Sequence, residues 1–298
     1  MSLSHSMIDT AVVMCGGMGT RDLPHTLVRP NTLGEIGRRN TFDIITEQLA
    51  NVGVQNLVVV IPNIKTENVN LSEILIGSWF RGNPKLRDEL RAKGKPNEQI
   101  VAADNHSHGI DNLYFAYQDQ AKYGTAASVA AAINTLVGEI ETERFLVVNG
   151  DGFMHRTDGG SDIQDLIAET SREGAAHGLL TTTIEKIHEG KYPYGIIERD
   201  EAGNFVRINE GPQADQVTTE HPEGNLGIYL FSASIFPLLN EFVSAPLPAD
   251  RKEYWITDVI ETAAQKESVI ALPTIGEFVD CATPELREQA RALLTTSY

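Results

Sequence analysis

Hydrophobic residues in this 298-residue chain fall into short apolar runs that alternate with stretches of helical spacing. Residues 10–15, Thr-Ala-Val-Val-Met-Cys, are mostly apolar, have no helical period and lead straight into glycines, which predicts a buried strand ending in a turn. Residues 40–50 set Phe42, Ile44, Ile45 and Leu49 at helical intervals, with Gly53 just past the end. A second apolar strand follows at 56–61, so strand, helix and strand predict a parallel pair joined by a right-handed crossover. The alternation recurs: residues 125–136 are Ala-rich and helical, and 144–148 are again a strand, running out at Asn149-Gly150-Asp151. Strands apolar on both faces and separated by helices predict an α/β fold with a Rossmann-like, doubly wound, mostly parallel sheet.

Residues 63–113 interrupt this pattern with a charged stretch that contains Trp79-Phe80 and an amphipathic segment at 85–91. It reads as an insertion, either a lid or a subunit contact, and the second option would make the chain a homo-oligomer. Beyond Gly178 the chain turns more strand-like, at 178–183, 195–198, 205–208 and 227–231. The tail from Pro284 reads as a helix with Leu286, Ala290 and Leu293 on one face. No internal repeat or low-complexity linker divides the chain, so residues 1–298 read as one domain with two halves, about 8–155 and 156–298.

Composition narrows the function classes. Apolar residues make up 41% of the chain and no uncharged apolar run approaches the roughly 18 residues of a membrane span, so neither disorder nor a membrane protein fits. The first six residues lack the basic-then-apolar layout of a secretion signal, which points to the cytoplasm. Cys15 and Cys281 are too few for a disulfide framework and, beside apolar strands, read as small buried residues. A net charge of −17 argues against a nucleic-acid partner, which would need clustered Lys and Arg. It does not argue against a phosphate ligand, because acidic residues are the natural way to hold a metal ion beside one.

The main chemical signal is Gly16-Gly17-Met18-Gly19-Thr20-Arg21, directly after the first strand. Glycines let the backbone approach a phosphate, successive N–H groups point at its oxygens, and an arginine adds a bidentate donor. By itself such a cluster is more often a structural turn. It is neither a Walker A loop nor a dinucleotide fingerprint. By contrast, His106-Ser107-His108 reads as a polar surface loop rather than a metal site.

The segment resembles the G-G-x-G-T-R loop of the sugar nucleotidyltransferase family, and the resemblance continues in order along almost the whole chain. Gln118 with the segment from Gly124 and Thr125 resembles the family's nucleotide-base segment, and Asn149-Gly150-Asp151 its metal-binding strand end. Tyr194-Gly195, Asn209-Glu210-Gly211-Pro212 and Asn225-Leu226-Gly227-Ile228-Tyr229 are similar to its sugar-binding segments. The runs 253–258 and 279–284 complete the series. The 63–113 insertion and the phrase at 231–239 look most like bacterial UTP:glucose-1-phosphate uridylyltransferases.

The resemblance implies a nucleotidyltransferase fold, with a nucleotide-binding half at about 8–155 and a sugar-binding half at about 156–298. It implies Mg²⁺ held by Asp151 and Asp280, with Arg21 joining them in catalysis. Gly16, Gly17, Gly19, Thr20, Arg21, Gln118, Gly124 and Thr125 would bind the nucleoside triphosphate, with UTP favoured. Tyr194, Gly195, Glu210, Asn225 and Gly227 would bind the sugar phosphate, with glucose 1-phosphate favoured. Two family lysines are missing: the Pro-Lys after the glycine loop reads Pro30-Asn31, and Glu-Lys-Pro reads Glu210-Gly211-Pro212. Losing a cation aimed at developing charge costs on the order of 100- to 1000-fold in rate. Arg29, Arg38, Arg39, Lys186, Lys191 and Arg207 are candidates to replace them. The alternative is a catalytically silent paralogue that binds nucleotide or nucleotide sugar as a regulatory or assembly partner; the two retained aspartates favour the enzyme.

Overall fold

The computed structural model describes residues 8–17, 31–62, 100–101, 109–119, 121–136, 142–184, 192–217, 219–247, 249 and 251–296. Most of the 63–113 insertion lies outside them.

The chain opens with β1 (Thr10–Met14), buried along its whole length. A short hairpin of β2 (Glu35–Ile36) and β3 (Arg39–Asn40) leads into α1 (Thr41–Asn51). Asn40 caps that helix: its Oδ1 accepts from Asp43 N–H at 2.9 Å while the Asp43 carboxylate accepts from Asn40 N–H, satisfying two otherwise orphaned donors. Next come β4 (Asn56–Pro62), β5 (Ile100–Val101) and β6 (Asn112–Gln118), then α2 (Thr125–Leu136), β7 (Arg144–Asn149), β8 (Gly152–His155) and α3 (Asp162–Arg172). The remainder is richer in strands, with β9 (His177–Thr183), β10 (Ile196–Arg199), β11 (Phe205–Asn209) and β12 (Glu223–Ser232). It closes with α4 (Ile235–Ser244), α5 (Ile256–Ala264), β13 (Val269–Pro273), β14 (Glu277–Asp280) and α6 (Pro284–Thr296).

Ten strands form one sheet whose main order is β11-β10-β12-β7-β1-β4-β6-β5, with β9 also pairing β12 and β13 pairing β9. Its centre, β7-β1-β4-β6, is parallel, with Val12 between Val58 and Val147. Strand β12 runs antiparallel to β7 and to its other neighbours, β10 and β9. Alternation along β1 divides the core: Val13 packs with Phe42, Ile45 and Leu166 on one face, and Val12 with Val129, Ile235 and Val259 on the other. Helices α1 and α3 therefore cover one face and α2, α4 and α5 the other, the doubly wound arrangement that the apolar strands require. In α2 the small residues Ala126, Ala127, Ala130 and Ala132 are all buried, which lets the helix lie close to the sheet.

Among the described residues no helix is long and apolar enough to cross a membrane.

His177 is buried, its Nδ1 accepting from Ser232 N–H at 3.2 Å and its Nε2 lying 2.8 Å from Glu267. The acceptor role of Nδ1 leaves the proton on Nε2. Burial pushes the His177 pKa down, with Glu267 opposing. A depressed histidine pKa means that the folded state resists protonation, so its contribution is complete above the unfolded value of about 6.5 and is lost as pH falls through the folded one. Calorimetric Tm should therefore fall as pH drops below about 6.5, and His177→Asn, which keeps an acceptor for Ser232, should flatten that part of the curve.

Candidate active site

Strand β1 has β4 on one side and β7 on the other, so successive connections depart in opposite directions from it. In parallel sheets ligands bind in the crevice beyond the strand C-termini at such a switch point. Here those ends are joined by backbone pairing of Met14 with Asn149 and a 3.0 Å hydrogen bond from Gly150 N–H to Met14 O. A cavity of about 280 Å³ opens there, with Gly16, Gly17, Gln118, Gly124, Thr125 and Asp151 in its wall. A second cavity of about 250 Å³ adjoins it, with Tyr194, Gly195, Glu210, Asn225, Gly227 and Asp280 in its wall. Thr125, Asn149, Asp151 and Glu253 line both. Gly19, Thr20 and Arg21 lie outside the described residues.

The first cavity depends on close backbone approach. A Cβ on Gly16 would collide with the side-chain oxygen of Gln118, whose amide N–H donates to Gly124 O at 3.1 Å. Gln118 thus braces one glycine segment against the other. Gly124 has φ +131°, and a Cβ there would run into the Tyr254 backbone. That contact is a zipper: Tyr254 N–H donates to Tyr123 O and Ala126 N–H to Tyr254 O, both at 2.9 Å. The Thr125 hydroxyl accepts from Ile256 N–H at 2.9 Å, tying the start of α2 to the start of α5.

Asp151 and Asp280 are brought together by a route the sequence pattern does not suggest. Asp280 does not end a strand of the central sheet; it ends β14, which pairs antiparallel with β8 as a separate two-stranded ribbon, Asp280 opposite Gly152. Cys281 N–H donates to Asp151 O at 2.7 Å and closes the ribbon. Among the described residues no group of three or more His, Cys, Asp or Glu converges. The carboxylates of Asp151 and Asp280 are hard oxygen donors of the kind that hold a divalent cation. Both cysteines are buried next to this pair, and burial pushes each thiol up to about 12, which leaves them protonated and inert.

The second cavity is shaped by an irregularity in β12, whose pairing with β9 shifts register between Asn225 and Tyr229. Gly227, at φ +71°, sits in the shift, and a Cβ there would strike the Asn149 side chain. Asn225 Nδ2 donates to the Tyr229 hydroxyl at 2.8 Å and its Oδ1 accepts from Gly227 N–H at 3.2 Å, so this side chain also organises the loop. A Cβ on Gly195 would lie 2.9 Å from the Glu210 carboxyl carbon, so glycine lets that carboxyl lie over the backbone. Burial raises the Glu210 pKa, and Asp258 and Glu253 add to the rise while Arg251 opposes it.

Among the described residues neither cavity is lined by a Lys or Arg. Arg38 is exposed, Arg39 pairs with Glu47, and Arg207 is held by Glu198 at 2.7 Å. Arg29, Lys186 and Lys191 fall outside the described residues. Sequence reasoning assigned no role to Glu253, which lines both cavities, nor to Trp255, a wall of the second that Arg251 covers at 4.7 Å from the ring centroid. A carboxylate set among Tyr254, Trp255 and Ile256, just before a helix start, was the available signal.

A profile of the nucleotidyl transferase family matches residues 10–281. The chain belongs to that family. Its relatives include UTP–glucose-1-phosphate uridylyltransferase 1 of Streptococcus pyogenes serotype M3, 26% identical over 279 residues that cover 91% of this chain and 83% of the relative. The bifunctional protein GlmU of Pelobacter propionicus is 32% identical over 168 residues, 56% of this chain but only 34% of that protein. Among solved structures, a UDP-glucose pyrophosphorylase complexed with UDP-glucose superposes with a TM-score of 0.73 at 19% identity, covering 98% of this chain and all (100%) of that one. A UDP-glucose pyrophosphorylase from Acinetobacter baumannii gives 0.71 at 20% identity over 96% of this chain and 92% of its own. The family model and these homologues place the chain among the nucleotidyl transferases, and the structures share its fold.

In this nucleotidyl transferase the raised Glu210 pKa has a cost to stability. For a carboxyl whose folded pKa is raised, the favourable contribution is present below the unfolded value of about 4.3 and lost as pH rises through the folded one. The stability that protonated Glu210 contributes is therefore given up as pH rises. Glu210→Gln should raise Tm by a few degrees at pH 7 to 8, a gain that shrinks towards zero below about pH 4 in a melting series.

Proposed function

We propose that this chain joins UTP to glucose 1-phosphate, forming a nucleotide sugar and pyrophosphate, with Mg²⁺ held by Asp151 and Asp280. The observation that carries the reading is the pair of adjoining cavities that share Asp151, one bordered by the glycine segments and the other by the Glu210 and Asn225 segments. Two substrates bound there would meet across the shared wall.

In the reaction an oxygen of the sugar phosphate attacks the α-phosphorus of the triphosphate, the bond to the β-phosphate bridging oxygen breaks, and pyrophosphate leaves. No covalent enzyme intermediate is required. The chain's contribution is chiefly positioning and charge. Backbone N–H groups of Gly16 and Gly17 face phosphate oxygens, and the Gln118 and Gly124 segments hold the base. Glu210 and Asn225 accept from and donate to sugar hydroxyls, with Tyr194-Gly195 closing that side. A bound Mg²⁺ would polarise the α-phosphate and neutralise developing charge. UTP and glucose 1-phosphate are supported by the names of the relatives, at 26% identity.

One observation favours a second reading, the silent paralogue. Asn31, where the family's phosphate-facing lysine would stand, lines the first cavity, and no described cation lines either. Ground-state affinity is spread over many backbone donors, whereas rate depends on charge placed for the transition state, so binding would outlast catalysis. Gly211, where the other lysine would stand, has φ +58° and no atom within 4 Å of a Cβ, so a side chain has room there at a backbone cost of about 1–2 kcal/mol.

Two measurements decide between them. With Mg²⁺, UTP and glucose 1-phosphate, the wild-type protein should release pyrophosphate well above a blank. Asp151→Ala and Asp280→Ala should each lower that rate at least about 100-fold without loss of fold, because removing one of two like charges relieves repulsion. Full activity in either variant would show the metal pair misassigned. In the second measurement, the Asn31→Lys, Gly211→Lys double variant should change an active wild type by less than about tenfold. A wild type at blank level that still binds nucleotide sugar, with turnover appearing in the double variant, would establish the silent paralogue.

A further inference from the structure

The β8–β14 ribbon is four residue pairs long, from Glu277 opposite His155 to Asp280 opposite Gly152. A two-stranded ribbon of that size does not hold its own shape in water, so its geometry depends on the burial of Phe153, Met154 and Val279 in the core and on what anchors its ends. At the site end the anchor is the hydrogen bond from Cys281 to Asp151. At the far end it is Asp162, the first residue of α3 and 2% exposed. Its Oδ1 accepts from Ile275 N–H at 2.7 Å and Gly276 N–H at 3.1 Å, and its Oδ2 from Gly276 N–H at 3.2 Å.

Arg156, immediately after β8, supplies the counter-charge: its guanidinium is 3.9 Å from Asp162 and 2.6 Å from Asp165, pairs also with Asp158, and its side chain is 9% exposed. The fit is tight. A Cβ on Gly276 would lie 2.5 Å from Asp162 Oδ2 and 2.7 Å from His155 O. The turn so held buries little of Ile275, which is 73% exposed. Hydrogen bonds, to the buried Asp162 carboxylate and from Thr274 N–H to Thr181 O at 2.9 Å, therefore fix where β14 begins, and four residues after Gly276 the strand delivers Asp280.

We propose that Asp162, with Arg156 as its counter-charge, is a positioning residue that sets the β8–β14 ribbon and thereby the relative placement of Asp151 and Asp280. This rests on the assignment of those two aspartates as metal ligands. Groups that hydrogen-bond directly to a metal ligand contribute about 10- to 100-fold to metal affinity, and Asp162, which acts through the ribbon, is expected at the lower end of that range. A merely structural anchor would lower Tm and leave metal affinity alone.

The test is titration of Mn²⁺ into the full chain, followed by electron paramagnetic resonance, with Tm measured for every variant. Asp151→Ala should remove one class of bound Mn²⁺. Asp162→Ala should weaken that class by about tenfold. Asp162→Asn keeps Oδ1 but turns an amide N–H towards Gly276 N–H, and should fall between it and wild type. Gly276→Ala disturbs the same contact from the other side and should weaken the class like Asp162→Ala. Wild-type Mn²⁺ affinity in a folded Asp162→Ala overturns the proposal; should that variant not fold, wild-type affinity in Gly276→Ala overturns it. Either result alongside a loss of binding in Asp151→Ala leaves the metal assignment standing. Wild-type binding in Asp151→Ala removes the metal assignment and the positioning role with it.

Discussion

The 2.7 Å hydrogen bond from Cys281 N–H to Asp151 O joins two points of the chain separated by most of its second half. Asp151 follows β7, a member of the parallel sheet, whereas Asp280 ends a strand that does not pair with that sheet. Without backbone pairing between β8 and β14 the two carboxylates would belong to unrelated surfaces. With it they share one end of a ribbon, and the second cavity gains Asp280 and Phe278 as a wall. The acidic balance of the chain acquires a local meaning here: Asp151, Glu210, Glu253 and Asp280 all line that cavity. Mutual repulsion among them is the electrostatic state that a bound cation would relieve.

Much of the sheet was legible because its signals are local. Strands β1, β4 and β7 are unbroken apolar runs, α1 carries its own capping residues, and α2 matches its expected bounds at Thr125–Leu136. The ribbon was not legible. Its strands, Gly152–His155 and Glu277–Asp280, are four residues each and mix polar with apolar side chains, too short for either period to emerge. Strand β12 runs from Glu223, earlier than its apolar stretch from 227 suggests, because the register shift at Asn225 interrupts the alternation that marks a strand.

The candidate site divides in the same way. Gln118 and Thr125 in the first cavity and Asn225 and Glu210 in the second were marked by segments that resemble the family's motifs. The same resemblance covered Glu253 but gave it no role. Its position follows from backbone bonds between Tyr254 and residues 123 and 126, a contact across more than a hundred positions that leaves no periodic trace. The cations that would replace the missing lysines raise a related difficulty, since charge says nothing of direction: Arg207 is committed to Glu198, and Arg39 to Glu47.

The zipper between Tyr254 and the Gly124 turn also bears on how the protein comes into being. During synthesis the parallel centre of the sheet, β1, β4, β6 and β7, is complete once residue 149 has emerged, and N-terminal units fold first. Yet the glycine turn at 124 still lacks the backbone it zips against, and Asp151 lacks its ribbon partner, until residues 254 and 281 follow. A nascent chain therefore carries every strand of that parallel centre before it carries the residues that finish either cavity. Competence for ligands depends on the last part of the chain to be made.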